Sequence, residues 1–216
     1  MEPLDQIANT ISLTMGVAWA SGINLYAAIL VLGLLGTTGN IILPATLQIL
    51  TDPMVITAAG VMYFVEFFTD KMPGVDTGWD TLHTFIRIPA GALLAAGAVG
   101  DVNAAVALTA AILGGGLAAG AHAVKAGSRV IINTSPEPFT NWTASIAEDV
   151  AVIGGLWIAL HYPWLFLVLM IIFIGLMIWL LPRIWGGIKK IFGYIERLFK
   201  HGKEDESSQN SKPVDS

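Results

Sequence analysis

The chain of 216 residues is 55% apolar and only 12% charged, contains no cysteine and carries a formal charge of −5. Soluble domains carry about 25% charged residues, so this composition excludes an ordinary water-soluble domain and points to lipid as the solvent. The lack of cysteine excludes disulfide stapling, thiol nucleophiles and thiolate metal sites.

Between Asp5 and Asp52 there is no charged residue, and residues 7–35 alone exceed the roughly 20 needed to cross a 30 Å hydrocarbon core. This is the first expected span. The leader carries Glu2 and Asp5 and no base, so a cleavable signal peptide is not expected. Further apolar stretches cover about 43–68, 82–99, 102–124, 144–160 and 164–181. The fold class is therefore all-α, a polytopic membrane helix bundle of about six spans. With the amino terminus inside, all eleven lysines and arginines fall at or near the inner side, and none lies in the outer connections around 37–40, 100–101 and 161–163. That places both termini in the cytoplasm.

After Pro182, Ile184, Ile188, Ile191, Ile195 and Leu198 recur at helical spacing beside Lys189, Lys190, Arg197 and Lys200. Residues 183–201 read as a basic amphipathic helix on an anionic leaflet, the alternative being a solvated continuation of the last span. Residues 202–216 are polar without an apolar period and read as disordered. The membrane bundle is then 1–182.

A shift of 63 residues superposes Pro73 on Pro136, Trp79 on Trp142, Gly91 on Gly154 and Ile49-Leu50 on Ile112-Leu113. The expected repeat copies, about 43–100 and 106–163, are each span, proline-containing inner connection, span. Two spans restore the original direction, so the copies are parallel repeats. The shift also sets Thr51-Asp52-Pro53 on Gly114-Gly115-Gly116, two helix-breaking triplets that would interrupt spans two and four. Equally, Asp52 is a natural N-cap for a helix starting at Pro53. The inner connections, from Met72 and from Asn133, are either plain loops or shallow re-entrant segments.

The most informative polar stretch runs from Glu66 through Asp70, Lys71, Asp76, Asp80 and His83 to Arg87. Together with Ser21-Gly-Ile-Asn-Leu-Tyr26, Asn133-Thr-Ser-Pro-Glu-Pro-Phe and Glu148-Asp149, it resembles a bacterial integral-membrane family known as domain of unknown function 4126. The resemblance covers most of the chain. It implies a membrane fold, and with the topology a bacterial inner membrane, but no activity, ligand or catalytic residue.

At 1.5 Å per residue, Arg87 lies about 21 Å from the outer end of its span, hence roughly 10 Å inside the cytoplasmic face, and Glu148 and Asp149 lie at a similar depth on span five. Charges there need partners. Matched depth and the repeat predict that Arg87 pairs with Asp149 or Glu148, as a structural lock or as part of a solute pathway. Glu66 and Asp70 share one helix face, as do His83 and Arg87, and Lys125 and Arg129, and the repeat sets Glu66 on Arg129. A polar layer of acids from one copy facing bases from the other is expected, unless Lys71, Lys125 and Arg129 snorkel to head groups.

Glu66, Asp70, Asp80 and His83 are legitimate oxygen and nitrogen ligands, but no metal-binding motif links them and Lys71 competes for the carboxylates, so no metal and no cofactor is expected. His83 reads as a hydrogen-bonded structural group before a proton relay. Ser21, Asn24 and Tyr26 on the first span read as packing groups, with a translocation path as the sharper alternative. No catalytic residue is assigned: His-Glu-x-x-His, Gly-x-Ser-x-Gly and phosphate-loop motifs are all missing, which ranks an enzyme last. The leading function is a small-solute or ion transporter or channel. The alternative is a noncatalytic organiser that binds lipid or a membrane-protein partner. Membrane lipid and a small solute or ion are the expected partners; nothing points to nucleic acid or specifies an oligomeric state.

Overall fold

The computed structural model describes residues 3–72, 74–134 and 138–209, all of them helices and short connections. The helices are α1 (Pro3–Thr37), a 3-10 helix (Ala45–Thr51), α2 (Pro53–Thr69), α3 (Val75–Ala98), α4 (Ala104–Ile132), α5 (Pro138–His161) and α6 (Pro163–Gln209). By length and composition, α1, α4, α5 and α6 qualify as membrane spans, and the 3-10 helix with α2 forms a fifth candidate bent by 65°. Large apolar side chains such as Phe64, Phe85, Leu93, Ile112, Ile171 and Ile178 point outward, exposed. A surface of this kind is stable in hydrocarbon, and these helices mark a multi-pass membrane protein.

Caps explain several boundaries. Asp52 accepts a hydrogen bond from the Met54 amide (2.7 Å) with Pro53 at the first helical position. Asn103 does the same for α4 through the Val106 amide (3.0 Å). Gly74 and Gly100, with φ of 84° and 77°, take left-handed conformations at the two ends of α3. Span two is thus bent at a cap. Span four is unbroken, contrary to the expectation for Gly114-Gly115-Gly116, which lie inside continuous α4. There the glycines allow close approach: a Cβ on Gly114 would strike Ala95, and one on Gly115 would crowd Ala92.

α1 breaks where no break was expected. Asn24 has φ −146° and ψ 96°, outside the helical range, and divides α1 into two halves. In the first half, Asp5 accepts a hydrogen bond from the indole of Trp164 at the start of α6 (3.1 Å), and Ser12 donates to the Ala159 carbonyl near the end of α5 (2.8 Å). At the apex, Asn24 donates to Asp149, lower on α5 (3.0 Å). In the second half, Gly33 and Gly36 pack on Leu50 and Thr51. The same 3-10 segment reaches the last turn of α3, where Thr46 donates to the Gly97 carbonyl (2.5 Å). Thr10 of the first half and Val99 after α3 border one cavity. A straight α1 would carry Gly33 about 42 Å beyond Asp5. Instead both ends of α1 sit at the α3–α4 end of the bundle, and α1 is a V with its apex inside.

Helices α2 to α6 then run alternately between that end and the α2–α3 end. α6 parallels α4, with Met177 against Gly120 and Ile184 against Gly127. It passes through Pro182 without a break and continues to Gln209, so no separate element begins at 183 and the polar stretch from 202 extends a helix already formed. Residues 210–216 and the side chains of Ile191, Ile195, Arg197, Leu198 and Lys200 lie outside the described residues.

Tight packing at the V yields a first prediction. A Cβ on Gly22 would collide with the Ala118 carbonyl oxygen and approach Ala121. Backbone cannot yield as a side chain can, so Gly22→Ala is expected to cost about 3 kcal/mol by overpacking. Unfolding in detergent checks it; a variant as stable as the parent would mean that α1 does not contact α4 there.

Candidate functional site: a buried ion cluster at the apex of a broken helix

α4 presents His122, Lys125 and Arg129 on one face, three and seven residues apart, and all three side chains are buried. Lys125 is the centre. Its ammonium lies 2.7 Å from Asp70, 3.3 Å from Glu66, 3.4 Å from Glu148 and 3.7 Å from Asp80. It also donates to the Ile23 carbonyl (3.1 Å), freed by the break in α1. A tethered cation thus occupies the end of the first half of α1, where the helix dipole is negative.

Arg87, fully buried, donates to Glu66 (2.5 Å) and to Asp80 (2.9 Å). It does not pair with Asp149 or Glu148 as expected. Depth matched the three residues, but direction around the helix decides pairing: Asp80 is seven residues before Arg87, about two turns, and so shares its face. Glu66 completes the site from α2. The Nδ1 of His122 lies 3.3 Å from Arg87, and its Nε2 lies 2.7 Å from the Thr84 hydroxyl. Arg129 shares Glu148 (2.8 Å) and Asp70 (3.8 Å) with Lys125 and adds Asp76 at 4.0 Å. Glu66 and Asp70 of α2 do face Lys125 and Arg129 of α4. Their burial overrides the snorkelling alternative.

A hydrogen-bonded lattice through two asparagines continues toward the α2–α3 end. Arg129 donates to the Asn141 side chain (2.9 Å), Asn141 to Asn133 (2.8 Å), and Asn133 to Asp76 (2.8 Å). Asp76 also accepts from the Gly74 and Thr77 amides (2.9 and 2.6 Å), which fixes the start of α3. Lys71 sits over the Phe67 ring, 3.0 Å from its centroid, and contacts Ser145 (3.3 Å).

On α1, Asn24 joins the break to the cluster. Its carbonyl oxygen caps the second half by accepting from the Ala27 amide (2.9 Å), while its amide donates to Asp149. Tyr26 pairs with His83 (3.1 Å), whose other nitrogen meets the Trp79 carbonyl (2.9 Å). Ser21 bonds within its own helix, to the Ala18 carbonyl (2.9 Å), and lies against Gly91. The structure therefore gathers Glu66, Asp70, Asp80, Arg87, Arg129 and Glu148 in one network, with Asp149 and Asn24 beside it and His83 with Tyr26 as a separate pair. The sequence reading had Lys125 as a base of the polar layer, without singling it out as the centre, and missed His122; the spacing of His122 with Lys125 and Arg129 on one face of α4 was the signal.

Among the described residues, no group of three or more His, Asp or Glu side chains is arranged to hold a metal ion. Lys125 occupies the point where the carboxylates converge. One oxygen each of Glu66, Asp70, Asp76, Asp80 and Asp149 is buried without a hydrogen-bond partner. Such a centre can hold protons and exchange ion-pair partners, since several carboxylates compete for three cations.

Fold and site define a helical membrane protein built around a buried ionic core. Within that class the chain belongs to the family described as a domain of unknown function (DUF4126), whose model matches residues 11–183. No curated protein and no solved structure matches the chain.

Proposed function

We propose that this protein is a transporter or channel for a small polar solute or ion, resident in a bacterial inner membrane. The observation that carries the reading is the break in α1 at Asn24, which aims two half-helix ends at a buried ionic cluster. Discontinuous helices place a positive amide end and a negative carbonyl end at mid-membrane, where they serve solutes and coupling ions. Here the carbonyl end meets Lys125 and the amide end is capped by Asn24. The descending and returning pairs α2–α3 and α4–α5 support the parallel repeat.

The V of α1 revises the orientation. With bases at the cytoplasmic end, the α2–α3 end faces inward and the α3–α4 end outward. Both arms of α1 then open outward, so the amino terminus is outside, the carboxyl terminus inside, and five segments cross. The leader, with Glu2 and Asp5 and no base, suits that side equally well. An impermeant thiol reagent should label a cysteine introduced at Gln6 from outside, and should reach cysteines at the exposed Val75 and Lys190 only after the membrane is opened. Protection of the Gln6 site in intact cells would restore six spans.

One observation favours the alternative, an organiser that binds lipid or a membrane-protein partner. A cavity of about 790 Å³ between α1, α4 and α6 is lined by apolar residues and by Thr10, Thr14 and Thr109, and borders none of the charged cluster. Flux of ions and small polar solutes into proteoliposomes separates the readings: transport predicts uptake that Arg87→Met abolishes, and an organiser predicts none.

A further inference from the structure

The buried cluster holds the acids Glu66, Asp70, Asp76, Asp80, Glu148 and Asp149 against the bases Lys71, Arg87, Lys125 and Arg129, which leaves two carboxyls in excess. Five of the six acids have a basic nitrogen within 4.0 Å; among the described residues Asp149 has none. It is nevertheless 8% exposed. Its Oδ1 accepts from the Asn24 amide, and its Oδ2 has no partner at full hydrogen-bond geometry, although the Tyr63 hydroxyl interacts with the carboxyl. The groups that face it are Asn24 from α1, Tyr63 and Asp70 from α2, Lys71 from the following turn, Lys125 from α4, and Glu148 on its own helix. A carboxylate withdrawn from water, with like charges beside it and no cation in direct contact, is stabilised by taking up a proton.

We infer that Asp149 is a proton-binding site at the apex of the α1 break, carrying its proton on Oδ2 beside the Tyr63 hydroxyl. The inference deepens the transport reading by naming the proton as the coupling ion. Asn24 couples the site to the fold, because the same side chain serves Asp149 with its amide and caps the second half of α1 with its oxygen. Release of the proton leaves a carboxylate that competes with Asp70 and Glu148 for Lys125 or Lys71. Exchange of those partners pulls on the Ile23 carbonyl that Lys125 holds, and so on the V itself.

Infrared spectroscopy of the full-length protein in lipid tests the proton directly. The carbonyl stretch of a protonated carboxyl stands apart from carboxylate bands and shifts on deuteration. The wild type is expected to show that band at neutral pH and to lose it at alkaline pH. Asp149→Asn should lack it, and Asp52→Asn, at an exposed cap, should retain it. Because asparagine mimics the neutral acid, Asp149→Asn should also keep the parent's melting temperature, whereas Asp70→Asn, which withdraws a partner from Lys125, should lower it. A missing band in wild type, a band unchanged by Asp149→Asn, or collapse of the Asp149→Asn fold would each overturn the inference. The spectrum reads the proton whether or not a solute moves, so a failed flux assay with a positive spectrum sinks only the transport reading. If both hold, uptake by Asp149→Asn should lose its dependence on an imposed pH gradient.

Discussion

Lys125→Met is expected to destabilise the bundle by about 3–5 kcal/mol, because it leaves four carboxylates and a backbone carbonyl buried without their shared cation. Methionine matches the length of the side chain, so packing loss is minor and the electrostatic loss dominates. Reversible unfolding in mixed micelles measures the change. A loss under about 1 kcal/mol, the scale of an exposed ion pair, would mean that water reaches the cluster and screens it.

The second large effect is on Arg87. Arg87→Met should cost about 3 kcal/mol or more, since Glu66 and Asp80 lose their closest base. Adding Glu66→Gln should recover part of that loss, because the stranded charge is removed with its partner. Adding Asp149→Asn should be additive to within about 0.5 kcal/mol, as for residues that share no contact. Coupling to Asp149 in place of Glu66 would reinstate the pairing that the repeat superposition predicted. This double-mutant comparison discriminates between partners at equal depth, which single substitutions cannot do.

Depth is also the boundary of what was legible in the chain. Charge-free runs and caps located most helices, including the start of α2 at the Asp52-Pro53 pair. The arithmetic of rise per residue set Arg87, Glu148 and Asp149 at one depth, and the i, i+4 spacing of Glu66 and Asp70 set those two on one helix face. Direction around each helix was not readable: the Arg87-Asp80 bond depends on two turns of one helix face, and the Glu66-Arg87 bond on which faces α2 and α3 turn to each other. The return of α1 left still less trace. Residues 7–35 have the same composition whether they cross or fold back, and Asn24 is a single polar residue without a proline or a charge beside it. What turns the chain there is supplied from far away, by Lys125 on the Ile23 carbonyl and Asp149 on the Asn24 amide.

That dependence sets an order of assembly. α1 leaves the ribosome first, yet its bonds reach Ala159, Asp149 and Trp164, between 125 and 159 residues later in the chain. Until α4 exists, nothing holds the Ile23 carbonyl opened at the break, and until α5 exists, nothing accepts from the Asn24 side-chain amide. α1 thus precedes in synthesis the groups that hold its break, and its bent form is fully bonded only once α4 and α5 are packed against it. A chain truncated before α5 would lack the Asp149 bond to Asn24 and the Ser12 bond to the Ala159 carbonyl, two of the contacts that hold α1 in its bent form.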